Sequence, residues 1–234
     1  RDRLRSRGLG DVYKRQLHNS IIDRYEEILI ELGVKIRPNT LIGPVLTLDK
    51  LFFDGYKAVF IGTGVWNPKT LNIKGESLGN VHYAIDYLKS PNVYNLGKKV
   101  AVIGAGNVAM DAARSAIRCH AKEVTIIYRR RQVDMTALPS EIQGAIEEGV
   151  ELLTLNAPVR IEADEAGNVR AFVAQPQMIH EYDRQGRPSS VNANKPELEI
   201  PCEIVLMAIG QDIVSQDFEK YSVNPRRKTF ETHD

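Results

Sequence analysis

Two short clusters carry the residue types that chemistry would need. The first is Gly104-Ala105-Gly106-Asn107-Val108-Ala109, and the second is Tyr128-Arg129-Arg130-Arg131. In a Gly-x-Gly-x-x-Gly/Ala pattern the first glycine permits a tight turn and the second lets backbone come close to a ligand. The small third residue lets a helix pack on a strand. Backbone N–H groups at the start of such a helix point at an anion, so the pattern suits the pyrophosphate of a dinucleotide. An ordinary strand–helix turn with no ligand is the alternative. The arginines stand where sites selective for NAD place an acidic residue, and no carboxylate follows them until Asp134. Arginines there can pair bidentately with a 2′-phosphate, which favours NADPH and leaves NADH possible. A solvated basic turn is the competing reading.

The flanking elements are what the pattern requires. Val100 to Ile103 is an apolar, β-branched run suited to a strand buried on both faces. Val108, Ala109, Ala112, Ala113, Ala116 and Ile117 share one helical face, and a second strand follows at Glu123 to Tyr128. Further along, Leu138 to Glu148 predicts a helix with Ile142, Ala145 and Ile146 inward. Strands are expected at 151–155, 159–163 and 169–175, with a hairpin turn at 164–168. The polar stretch 180–196 reads as a surface loop, and 203–208 as a last buried strand. Upstream, 20–32 predicts a helix, 34–36 a short strand, 47–53 a helical turn and 58–61 an apolar strand running into Gly62-Thr63-Gly64. Asn80 reads as the cap of a helix from Val81 that ends before Pro91.

Composition narrows the function classes. Net charge is +1, which gives no reason to expect nucleic acid or a membrane surface as a partner. No apolar run is long enough to span a bilayer, so the cytoplasm is the default compartment. Cys119 and Cys202 form no Cys-x-x-Cys, which leaves no signature for a redox pair or a metal site. His82 and His180 lack clustered partners and read as solvated. Residues 1–16 carry six basic and two acidic side chains. Residues 11–16 can be back-translated to a sequence that resembles the transposon end used in sequencing-library preparation, so residues 1–16 read as translated adapter, with a genuine basic tail as the alternative.

Taken together, GVKIRPNTLIG, AVFIGTGVWNP, VAVIGAGNVAMDAARSA, VTIIYRRR, the ALPSEI–EEGV segment and VLMAIGQD occur in one order and spacing. In this the chain resembles the small subunit of bacterial glutamate synthase and its relatives, the FAD- and NAD(P)H-binding oxidoreductases that pass electrons to iron–sulfur clusters. The resemblance implies an α/β fold: a Rossmann-like parallel-sheet NAD(P)H-binding domain with a β-meander, inserted in an incomplete FAD-binding domain. It implies an NAD(P)H domain over 79–212, flanked by FAD-domain segments at 17–78 and 213–234. Gly62, Thr63 and Gly64 then match the first crossing between domains, near the flavin, and Ala208-Ile209-Gly210 matches the second. Gly104, Ala105, Gly106, Asn107, Val108 and Ala109 match the nucleotide loop, and Arg129 and Arg130 the adenosine-phosphate binders. The family's FAD fingerprint and its closing Gly-Asp motif are not found in the sequence, so a fragment is expected, with FAD bound in the full-length protein and little activity in this piece alone.

The implied chemistry is hydride transfer from NADPH to FAD, then electrons to the iron–sulfur centres of a glutamate-synthase-type large subunit, another iron–sulfur subunit or a ferredoxin. That chemistry belongs to the cofactors, and no side chain is singled out as acid or base. A stand-alone nucleotide-sensing module, or a dehydrogenase with its own substrate, remain as alternatives.

Overall fold

The computed structural model describes residues 19–182, 188–223, 225–226 and 229–230. Its described residues fall into two compact units, one over 69–210 and the other made of 19–68 with 211–230. Along the chain the smaller unit supplies α1 (Asn19–Glu31), α2 (Leu48–Phe53) and β1 (Asn67–Pro68). The larger unit follows with β2 (Val81–Tyr83), α3 (Ala84–Lys89), β3 (Lys99–Ile103), α4 (Asn107–Arg118), β4 (Glu123–Tyr128), α5 (Pro139–Glu147) and β5 (Glu151–Thr154). It continues through β6 (Asn156–Ala163), β7 (Val169–Tyr182), β8 (Pro188–Asn192), β9 (Leu198–Pro201) and β10 (Ile204–Met207). The smaller unit resumes with β11 (Gln211–Asp212), α6 (Gln216–Glu219), β12 (Pro225–Arg226) and β13 (Thr229–Phe230).

In the larger unit five strands form a parallel sheet in the order β2-β10-β3-β4-β5. Because successive side chains leave opposite faces of a strand, each central strand feeds two cores. Val100 and Val102 of β3, Val124 and Ile126 of β4, and Ile204 and Leu206 of β10 point to the helix side, against Tyr87, Leu88, Met110, Ala113 and Ile142. Ala101, Ile103, Ile127, Val205 and Met207 point the other way and meet Ile161, Phe172 and Ala174 of a second sheet. That second sheet is antiparallel, with β7 pairing β6, β8 and β9. This is an α/β architecture of helices, parallel sheet and β-meander, with strands apolar on both faces as the sequence suggested. Residues 69–78, expected with the flanking segment, lie in the larger unit, where the Ile161 N–H donates to Lys74 O over 2.8 Å.

Four local expectations differ from the structure. Val81–Tyr83 is a strand, because its residues pair with Val205–Met207 of β10, and the helix begins only at Ala84. Here sheet pairing outweighs a helical spacing that Ala84, Ile85 and Leu88 satisfy by themselves. The stretch 180–196 is mostly strand: β7 runs on to Tyr182 and pairs Pro188–Asn192, with 183–187 outside the described residues. Neither 34–36 nor 58–61 forms a strand, since neither has a neighbour to pair with among the described residues. Ile146, expected inside, is 40% exposed, while Ile142 and Ala145 are buried. The suspected adapter, residues 1–16, lies outside the described residues.

Candidate functional site

The glycine turn sits at the C-terminal edge of β3, between the ends of β4 and β10. Gly104 has φ +139° and donates its N–H to Ile127 O over 3.1 Å. A Cβ on Gly104 would lie 2.3 Å from Ala208 O, so only glycine passes here. Gly106 is different. It is the extended residue that opens the twelve-residue α4, with no side-chain cap. A Cβ there would meet only Thr136 Oγ1, at 3.5 Å, which is ordinary contact. The protein itself therefore does not need glycine at 106; a ligand approaching the helix N-terminus would. Ala109 is fully buried and lets α4 pack on the sheet.

A second segment walls this turn. Ala105 O accepts N–H bonds from Thr136 at 3.1 Å and Ala137 at 3.0 Å, and Asn107 Oδ1 accepts from the Leu138 N–H at 3.0 Å. Asn107, read from sequence as a ligand residue, thus spends its side-chain oxygen on the protein. Val108 packs partly against the helix-side core. Thr136 lies beside Gly106 and is outside every motif the sequence offers, since only chain folding back on the turn brings it there. The helix behind this wall is tied to α4 by ion pairs. Arg114 donates to Glu141 at 2.9 Å and to Glu148 at 2.6 Å, and Arg118 donates to Glu148 at 2.5 Å. Burial raises the Glu148 pKa, but the hydrogen bonds and charges of both arginines outweigh that and hold it below its ordinary value.

The three arginines have three different surroundings. β4 runs parallel to β3 with Ile127 beside Ile103, so residues just past Tyr128 leave the same sheet edge as the glycine turn. Arg129 is exposed there. Arg130 is half-buried and its carbonyl accepts from the Leu155 N–H at 3.0 Å. Arg131 is engaged by Asp134, at 2.8 Å from Nε and 2.9 Å from Nη2, and lies over the Tyr182 ring. The hydrogen bond from Arg131 holds Asp134 below the usual carboxylate range. Asp134 is thereby turned onto its own loop.

Gly210 has φ +107°, and its carbonyl accepts from the Lys69 N–H at 3.0 Å within the larger unit. Gly62, Thr63 and Gly64 belong to the smaller unit, where Thr63 O accepts from Trp66 Nε1 at 2.7 Å. Neither cysteine is in a disulfide, and burial pushes the Cys202 thiol up to about 12, far from a reactive thiolate. His82 is not solvated as expected. It packs edge-on to Tyr94 at 4.9 Å between ring centroids, and burial lowers its pKa. Among the described residues no cluster of three or more metal-ligating side chains occurs, and no helix is long and apolar enough to cross a membrane.

Over residues 45–233 the chain matches the pyridine nucleotide-disulphide oxidoreductase family, and it belongs to that family. It is 39% identical over 191 residues to the NADP(+)-dependent formate dehydrogenase subunit beta of Moorella thermoacetica, an alignment covering 79% of this chain and 27% of that protein. It is 31% identical over 209 residues to the glutamate synthase (NADPH) small chain of Escherichia coli (strain K12), covering 83% of this chain and 44% of that one. The chain thus spans less than half the length of these relatives. Among solved structures, Mycobacterium tuberculosis FprA in complex with NADPH superposes with a TM-score of 0.70 at 18% identity, covering 90% of this chain and 62% of FprA, which shows a shared fold.

Proposed function

We propose that this member of the pyridine nucleotide-disulphide oxidoreductase family is the NADPH-binding part of a flavoprotein oxidoreductase resembling the glutamate synthase small subunit. The observation that carries the reading is Gly106: nothing in the protein forbids a side chain there, yet the residue is glycine at the uncapped start of α4. The space a Cβ would take is where the pyrophosphate approaches. N–H groups of the first turn of α4 receive it, Gly104 shapes the turn, and the segment 135–138 closes one side. Arg129, exposed at the end of the neighbouring strand, meets the 2′-phosphate, with Arg130 assisting.

Bound NADPH would supply a hydride and a flavin would be its acceptor; Gly104, the first turn of α4 and Arg129 would hold the donor. The chain's own residues bind and orient the donor and need move no proton. Among the described residues there is no second Gly-x-Gly-x-x-Gly/Ala turn, so no step is assigned here to the flavin. Its assignment is supported by the family alone. On the same reading, the larger unit, 69–210, is the NAD(P)H domain, and Gly62, Thr63, Gly64 and Gly210 mark the two passages between domains. The relatives' names, which describe subunits of NADPH-dependent enzymes, support a partner subunit. We assign that role to an iron–sulfur-containing partner, a glutamate-synthase-type large subunit or a ferredoxin.

Titration with NADPH and NADH tests the reading. Charge-assisted hydrogen bonds to the 2′-phosphate contribute on the order of 1.5–3 kcal/mol each. Arg129→Ala should therefore weaken NADPH roughly 10- to 100-fold and leave NADH nearly unchanged. Gly106→Val should weaken both nucleotides together, because both carry the pyrophosphate. Equal loss of NADPH and NADH in Arg129→Ala would remove the NADPH assignment.

A further inference from the structure

The corner where β5 turns into β6 holds a set of features that packing alone does not explain. Leu155 adopts φ +58°, a left-handed conformation costly for a bulky residue. It is held there from both sides: its N–H donates to Arg130 O at 3.0 Å, and its carbonyl accepts from the Gln177 N–H at 2.7 Å. The kink presents the next residue, Asn156, to a buried position with only 7% of its surface exposed. Asn156 Nδ2 donates to Thr154 O at 2.8 Å, which fixes the amide so that Oδ1 faces the other way. That Oδ1 is buried with no hydrogen-bond partner, and so is the Nε of Arg130.

An unpaired acceptor and an unpaired donor are thus buried on residues flanking one backbone hydrogen bond, at the sheet edge that also carries Arg129 and the glycine turn. Buried polar groups are almost always paired, and each exception calls for an explanation such as strain, a chemical role or a missing bound group. We propose that Asn156 is a positioning residue for Arg130. When the terminal amino groups of Arg130 engage a phosphate on the adenosine ribose, its Nε–H turns to Asn156 Oδ1 and the planar guanidinium is locked in one orientation. Asn156 touches no nucleotide in this arrangement; it acts through Arg130, and it adds to the preference for the 2′-phosphorylated dinucleotide. Sequence pattern alone gives no hint of it, because Asn156 lies outside both the glycine turn and the arginine run.

This inference rests on the NADPH reading, so the test is built to separate the two. NADPH and NADH affinities of the full chain are measured for wild type, Arg129→Ala, Asn156→Ala, Arg130→Ala and the Asn156→Ala/Arg130→Ala double variant. Asn156→Ala should weaken NADPH about tenfold and spare NADH. In the Arg130→Ala background the same change should have almost no further effect, since the group it positions is gone. Asn156→Asp, a near-isosteric change, covers the case in which the alanine variant does not fold. Its carboxylate would pair Arg130 and repel the phosphate, so NADPH should weaken at least as much while NADH does not. Equal weakening of both nucleotides, no weakening of NADPH, or full additivity with Arg130→Ala overturns the role of Asn156. If Arg129→Ala shifts the NADPH-to-NADH ratio while Asn156→Ala does not, the positioning role alone falls. If neither shifts it, the NADPH reading falls and this inference with it.

Discussion

Two stretches of this chain look alike on paper. Ala58-Val-Phe-Ile61 precedes Gly62-Thr63-Gly64, and Val100-Ala-Val-Ile103 precedes Gly104-Ala105-Gly106. In the larger unit Val100–Ile103 lies between β10 and β4, with every residue at most 2% exposed. In the smaller unit 58–61 forms no strand, and Phe60 is 96% exposed. The two runs do not differ in propensity. They differ in whether a neighbouring strand takes up their backbone hydrogen bonds and covers their side chains, which β-propensity alone cannot decide.

The largest expected effect lies at the glycine turn of the larger unit. Gly104→Ala combines a positive φ with a Cβ 2.3 Å from the Ala208 carbonyl oxygen, and backbone on both sides cannot move without opening the β3–β4 and β3–β10 pairs. Destabilisation on the order of 4 kcal/mol, or failure to fold, is expected in a denaturant or thermal melt. A variant with wild-type stability would mean that the sheet edge is far softer than its hydrogen bonds indicate.

The next effect concerns how α5, and with it the wall at 135–138, is held. Arg114→Met removes the partner that Glu141 and Glu148 share, while Arg118 still holds Glu148. Because the carboxylates stay partly compensated, the loss is about 1–2 kcal/mol. The sign of the pH dependence follows from Glu148, whose folded-state pKa lies below the ordinary 4.5. Its contribution is therefore fully present above about pH 4.5 and is lost as pH falls through the folded value. Wild type should lose stability over that acid range, and Arg114→Met should show a shallower loss. Equal acid limbs in the two proteins would show that the network does not couple to folding.

How much of this could be read from the sequence follows the same contrast. The strand–turn–helix–strand around Gly104 is legible because its glycine spacing, helical face and the β3–β4 pairing all lie within one short stretch, although β10 also pairs β3 from far along the chain. Val81–Tyr83 was misread as helix because its pairing partner, β10, lies more than a hundred residues on, and no local spacing records it. The continuation of β7 past Gln175 is hidden for a different reason: most of its residues there are polar or exposed, and what makes them strand is the backbone pairing with the nearby β8, which hydrophobic periodicity does not record. Within the site, residue type identified Gly106 and the arginine run. It could not tell Arg131, bound to Asp134, from exposed Arg129, and it passed over Thr136, because those differences are made by chain folding back on the turn.

The smallest effect sharpens the comparison from the other side. Gly62 occupies the place in the smaller unit that Gly104 occupies in the larger, at the end of an apolar run. A Cβ on Gly62 would come 2.8 Å from Phe60 Cε1, which on distance alone looks forbidding. The atom approached is the far end of a ring that is almost wholly in solvent, and such a ring can rotate away without breaking a contact. Gly62 also has no positive φ to relieve. Gly62→Ala should thus change stability by no more than about 0.5 kcal/mol, the range of ordinary surface substitutions. The melt of this variant, run beside Gly104→Ala, separates two glycines that a motif search treats as equals. A loss above about 2 kcal/mol in Gly62→Ala would show that the run 58–61 is covered in the protein as tightly as 100–103, and the contrast between the two stretches would disappear.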